Sequence, residues 1–191
     1  METACSMALK EWATVLEATA RGEQFVLIRK GGLIEPGSGF EVISPSFVFY
    51  PTFEHQAVKY LRGPYQGYFE AASHTRAPEG KVTFEIFGQA VHSLQSMDGS
   101  IIERLSPFHI YNDDFFTQRL KWQPNQPLAI VIIRAFKITP PVTIDVAAQY
   151  AGCKSWVELE ESVSLGQLTP IVDDAAFAKK RREIEVLLKT A

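Results

Sequence analysis

Apolar and polar positions along this chain fall into short alternating blocks broken by a few longer stripes at helical spacing. Leu9, Trp12, Ala13, Leu16 and Ala20 share one helical face, with Ser6 placed to cap it and Gly22 to stop it, so the pattern predicts an amphipathic first helix. Residues 24–29 form a short β-rich run that ends at the turn residues Gly31 and Gly32. A Pro36-Gly37-Ser38-Gly39 loop follows, then two more strands at 40–43 and 47–50. Thr52 is placed to cap a short helix over 54–61, and the Gly- and Pro-rich stretch 62–80 reads as a long loop.

The second half carries stronger signals. Val82, Phe84 and Ile86 alternate with Thr83 and Glu85, a half-buried strand that extends past Gly88 towards Leu94, with the glycine marking a bulge or bend. Asp98-Gly99 is a hairpin signal with 101–105 as its return strand. Asn112 caps a helix that runs to Trp122 and stops before Pro124. Residues 128–136 are nearly continuous apolar and β-branched, which fits a strand at the centre of a sheet, buried on both faces. Pro140-Pro141 then breaks the run, 142–146 adds an edge strand, and a last helix starts at Asp173 or Asp174 and reaches Lys189. Strands joined mostly by turns imply an α+β fold: a largely antiparallel or mixed curved sheet, or a small barrel, with N-terminal, middle and C-terminal helices packed on it. One domain spans 1–191, with a body over 6–170 and the C-terminal helix over 171–191.

Composition narrows the function classes. Nineteen Lys and Arg against 22 Asp and Glu leave a net charge of −3, so no protein-wide basic field favours sequence-blind binding to duplex nucleic acid. The N-terminus lacks a secretory pattern, no apolar run is long enough to span a membrane, and Cys5 and Cys153 form no CxxC unit. These features point to a cytoplasmic protein in which one cysteine is packed and the other lies on the surface, with the N-terminus itself loose. The four histidines have no metal-ligand spacing, and neither a GxGxxG nor a GxxxxGK[ST] element is present, so no metal and no cofactor is expected.

Four places carry candidate chemistry. Tyr50-Pro51-Thr52-Phe53-Glu54-His55-Gln56 gathers a phenol, a carboxylate and an imidazole at a strand-to-helix junction suited to anions, or is a capped helix with a surface histidine. Arg29-Lys30, beside two glycines, suits a phosphate approached by bare backbone, or is an ordinary hairpin end. Lys154 and Trp156, after Gly152, suit a phosphate contact and a stacked base, or a tryptophan anchoring its loop. Arg134 interrupts the apolar run and needs either an acid such as Glu85 or an open site.

Leu9-Lys10-Glu11-Trp12, Arg29-Lys30-Gly31-Gly32, residues 50–56, Pro107-Phe108-His109 and Gly152-Cys153-Lys154-Ser155-Trp156 together resemble a bacterial family catalogued as domain of unknown function 1802. That resemblance runs from about Ala8 to the final helix and implies no established activity. A second, weaker one is to the ASCH branch of the PUA-like barrels, which bind RNA or nucleotides. Their GxKxxExR element aligns with Gly22 to Arg29, but Gln24 replaces the lysine and Leu27 the glutamate, which puts ASCH-type hydrolysis in doubt. The leading expectation is therefore a module that binds a nucleotide or a short RNA or DNA segment through Arg29, Lys30, Tyr50, Glu54, His55, Arg134, Lys154 and Trp156. A metal-dependent phosphodiesterase, built on Glu54 with a distant acid such as Glu85, and a protein–protein interaction domain are the alternatives.

Overall fold

A computed structural model of the chain describes residues 2–30 and 39–189. The Gly31-Gly32 turn and most of the Pro36 to Gly39 loop lie outside those residues. The described chain folds into seven strands and five α-helices: β1 (Ala4–Trp12), α1 (Ala13–Ala20), β2 (Val26–Arg29), β3 (Ser46–Thr52), α2 (Gly67–Ser73), β4 (Lys81–Ser96), α3 (Ser100–Arg104), α4 (Asp113–Lys121), β5 (Leu128–Asp145), β6 (Trp156–Ser164), β7 (Gln167–Pro170) and α5 (Asp174–Lys189). One mixed, open, curved sheet runs β2-β5-β4-β3-β1-β6, with β7 also paired to β5. Among the described strands, β1 and β3 pair in parallel and the other ladders are antiparallel.

The sheet separates two apolar cores. Strand alternation sends Leu9, Phe47, Phe49 and Trp156 to one face, where α1, α3, α4 and α5 add Val15, Ile102, Phe115 and Ile184. It sends Ala8, Val48 and Val157 to the other, where Phe84, Phe136, Ile138 and Leu159 close a second cluster. Gly88 is needed where β4 crosses the first core, because a Cβ there would stand 2.7 Å from ring carbons of both Phe47 and Phe49.

Most of the strong sequence signals hold. The long β4, the buried start of β5, the Asn112 cap (its side chain accepts from the Phe115 N–H at 3.2 Å) and α5 all stand where the pattern put them. Several do not. The first helix begins only at Ala13, and the residues before it are β1, held between β3 and β6. Ala8 and Leu9 are both fully buried because β1 packs on both cores, so a pattern that looked like one helical face is a two-sided strand. Residues 4–12 are correspondingly not loose: Cys5 is buried in β1, while Cys153 is exposed.

Residues 40–43 form no ladder. Thr52 ends β3 rather than capping a helix. Its hydroxyl donates to the Glu11 carbonyl at 3.0 Å, and His55 at φ +62° stops helical winding, leaving only a 3-10 turn at Val58–Tyr60. The stretch 62–80 holds α2 rather than a bare loop. Asp98-Gly99 starts α3 rather than a hairpin, because the Asp98 carboxylate accepts from both the N–H and the hydroxyl of Ser100 at 2.9 Å. Finally, β5 runs on through Pro140-Pro141. Lys137 faces Ile86 and Val142 faces Phe84, so the prolines fall in an irregularity of the ladder that demands no N–H donor from them.

Candidate functional site

Adjacent residues of β1 point to opposite faces, and both Lys10 and Glu11 have to be answered. Glu11 turns towards the helix-bearing core and is almost wholly buried. One of its oxygens accepts from the Trp12 N–H at 2.8 Å, and the other from Arg29 at 3.0 Å. Arg29 is the last residue of the edge strand β2. Its guanidinium also donates to the Lys10 carbonyl at 3.1 Å and lies 5.2 Å from the Phe40 ring centre, so it bridges two strands that are not neighbours in the sheet. Lys30 is buried, with its ammonium on the Arg119 and Leu120 carbonyls at 3.1 and 3.4 Å, closing the C-terminal end of α4 where a cation is favoured.

Arg119, in that last turn of α4, has its guanidinium 5.0 Å from the Phe115 ring centre. Burial lowers its affinity for a proton, and the nearby Arg29 charge lowers it further. Burial, and secondarily Arg119, acts in the same direction on Lys30. Three cations thus meet at one place. Among the described residues, the only ion pair any of them makes is that between Arg29 and Glu11. Aromatic rings line the same place: Trp12 stacks with Tyr60 at 6.1 Å and 22°, and Tyr111 with Phe115 at 3.9 Å and 6°. Trp12 and Tyr60 stay partly exposed, whereas Tyr111 is buried, and its phenol is held protonated by burial first and by the Glu11 charge second.

The opposite face of β1 carries a second group. The Lys10 ammonium donates to the Tyr150 and Gly152 carbonyls at 2.5 and 3.0 Å and lies 5.6 Å from the Tyr50 ring centre. Its pKa is lowered by burial and then by Lys154, with Glu54 opposing, so Tyr50, Glu54 and Lys154 surround one lysine. The Lys154 ammonium itself donates to the Gln149 carbonyl. Burial, then Tyr150, raises the Tyr50 phenol.

The remaining candidates lie elsewhere. Trp156 belongs to the first core, stacked on Phe40 at 6.0 Å and donating to the Glu41 carbonyl at 2.9 Å, so it sits with Arg29 rather than with Lys154. His55 is exposed at the end of its strained turn. Arg134 pairs with Asp174 at the start of α5, between the rings of Phe136 and Phe177. Glu85 instead lines a cavity of about 40 Å³ with Glu17, Thr75 and Thr83. Lys30, Lys154 and Arg134 therefore have three separate sets of partners. Among the described residues, no three of His, Cys, Asp or Glu gather as a metal site needs.

The sequence profile of the family described as Domain of unknown function (DUF1802) matches residues 8–183. The chain belongs to that family. Its backbone is also similar to crystal structures of two single-residue mutants of the ZmASCH protein from Zymomonas mobilis. The TM-scores are 0.49 and 0.48, with 12% and 10% identity over 81% of this chain and 88% and 90% of theirs. Comparison with curated proteins finds no match. In this DUF1802 member, Gln24 is a buried clamp, donating to the Val26 carbonyl at 2.6 Å and accepting from the Ile110 N–H at 3.0 Å, and Leu27 is core.

Sequence reasoning missed Glu11, Arg119 and Lys10. The signal for the first was present. Had residues 4–12 been taken as a strand, Lys10 and Glu11 would fall on opposite faces, and a carboxylate on a buried face demands a cation. Nothing in the sequence pairs Arg119 with Arg29, because their meeting depends on how α4 docks.

Proposed function

We propose that this protein is a binding module for a nucleotide or a short single-stranded nucleic-acid segment, which it holds by phosphate contacts at Arg29 and Arg119 beside the aromatic rings of Trp12 and Tyr60. The observation that carries this reading is the surplus of positive charge: Arg29, Lys30 and Arg119 converge where the only ion pair among the described residues is with Glu11. Lys30 is answered by the carbonyl end of α4, and Arg29 by Glu11. Arg119 makes no ion pair among the described residues: the Phe115 ring lies beneath it, the Arg29 charge acts against it, and the Glu11 carboxylate that partly offsets this is already held by Arg29, an arrangement that an anion relieves. A phosphate is the fitting anion, since guanidinium groups grip it at two points and neighbouring rings accept a base. The net charge of −3 limits this attraction to the local site and disfavours sequence-blind binding to duplexes.

The test is fluorescence anisotropy of a labelled single-stranded oligonucleotide, read across a salt series. Arg119→Gln is expected to weaken binding about tenfold and to flatten the salt dependence by roughly 0.7 in log–log slope, the value of one phosphate contact on a single strand. Arg182→Gln, on the exposed face of α5, serves as the control that leaves binding unchanged. Equal affinity and equal slope for the wild type and Arg119→Gln would overturn the reading.

A further inference from the structure

The loop after α4 holds features that folding does not explain. Trp122 leaves the helix in an extended conformation and is 43% exposed, beside the exposed Lys121. Gln123 has φ +44°, a left-handed conformation that residues other than glycine rarely adopt. The Gln126 N–H donates to the Gln123 carbonyl at 2.9 Å, so the two glutamines bracket one tight turn. The side-chain oxygens of both are shut away from solvent and have no hydrogen-bond partner among the described residues. A shielded, unsatisfied amide oxygen is costly to keep, and two of them in one strained turn beside an exposed tryptophan demand a reason.

The turn is tied to the cationic site. Lys30 grips the Arg119 and Leu120 carbonyls at the last turn of α4, and Trp122 follows Arg119 by three residues. Lys121 directly precedes Trp122, and Lys30 is bound at the carbonyl end of the same helix. A glutamine amide offers an acceptor next to a donor, the pattern that complements N6 and N7 of adenine, and an indole offers a stacking plane for any base.

We propose that Trp122, Gln123 and Gln126 form a base subsite that stacks and reads an adenine of a single strand whose phosphate rests on Arg29 and Arg119. This inference rests on the binding function proposed above and adds the base to the phosphate. Binding opens the strained turn, and the base supplies the hydrogen bonds that the two amide oxygens lack.

Short fluorescein-labelled oligo(dA) and oligo(dT) strands test it by anisotropy. The wild type is expected to prefer oligo(dA). Trp122→Ala should weaken both strands about tenfold, with Trp122→Phe restoring most of the affinity, as stacking requires. Gln126→Leu should abolish the preference for oligo(dA). Trp122 is exposed, so an unchanged melting temperature in Trp122→Ala separates loss of binding from loss of fold. If Trp122→Ala binds as the wild type does while Arg119→Gln binds weakly, the phosphate site stands and the base subsite is wrong. If the wild type shows no preference, or Gln126→Leu keeps one, the adenine assignment is wrong. If the wild type binds neither strand, both proposals fall.

Discussion

His109 gives the fold a built-in acid sensitivity. It is fully buried between the 3-10 turn Ser106–Phe108 and α4, with its ring against Tyr111 and Phe116 at 5.7 and 5.2 Å. Nδ1 accepts from the Tyr111 N–H at 3.2 Å, so the proton sits on Nε2, which donates to the Ile102 carbonyl at 3.1 Å. This is a satisfied, neutral imidazole. Burial, with Arg62 adding a like charge, lowers its pKa from 6.5 to about 4. The folded pKa lies below the unfolded one, so the stabilisation is complete above pH 6.5 and drains away as pH falls towards 4, where the unfolded chain takes up a proton that the folded chain refuses. At about 1.4 kcal/mol per pH unit, that interval is worth about 3 kcal/mol. Urea denaturation of the wild type and His109→Gln at matched pH values isolates it, because carboxylates common to both proteins cancel in the difference. The wild type should lose about 3 kcal/mol more than the variant between pH 7.5 and pH 4. Parallel stability curves over that interval would refute the assignment of a neutral, doubly bonded imidazole.

Two further changes probe the scaffold and the site. Gly88→Ala drives a methyl group into Phe47 and Phe49, and thermal unfolding should show a loss of about 1–3 kcal/mol. Glu11→Gln leaves Arg29 and Arg119 together without a described acid. It should cost about 3 kcal/mol in denaturant unfolding, and added inorganic phosphate should recover part of that loss if the vacated charge is what the anion answers.

How much was legible follows from how local each cause is. The Asn112 cap, the alternation of Val82, Phe84 and Ile86, and the run 128–133 each act within a few residues, and each sits where the pattern put it. Strand β1 was illegible because its pairing partners, β3 and β6, are distant in sequence, and burial on both faces erased its alternation. Asp98-Gly99 misled for a smaller reason. The carboxylate that favours a hairpin turn can also hold the first residue of a helix, and here it accepts from the N–H and hydroxyl of Ser100. At the candidate site, Arg29 and Lys30 stood out as a basic pair leaving a strand. That Glu11 and Arg119 meet them, and that Trp156 reaches Arg29 only through Phe40, follows from the curvature that brings the β2 edge back to β1.

The central claim is that the guanidinium groups of Arg29 and Arg119 receive a phosphate. Arginine-labelled protein followed by NMR through its Nε–H resonances, titrated with adenosine monophosphate and separately with adenosine, tests this at the atoms concerned. The account predicts that both resonances shift and saturate with the nucleotide and stay in place with the nucleoside. Resonances that ignore both ligands, or that respond equally to the one without phosphate, would contradict it.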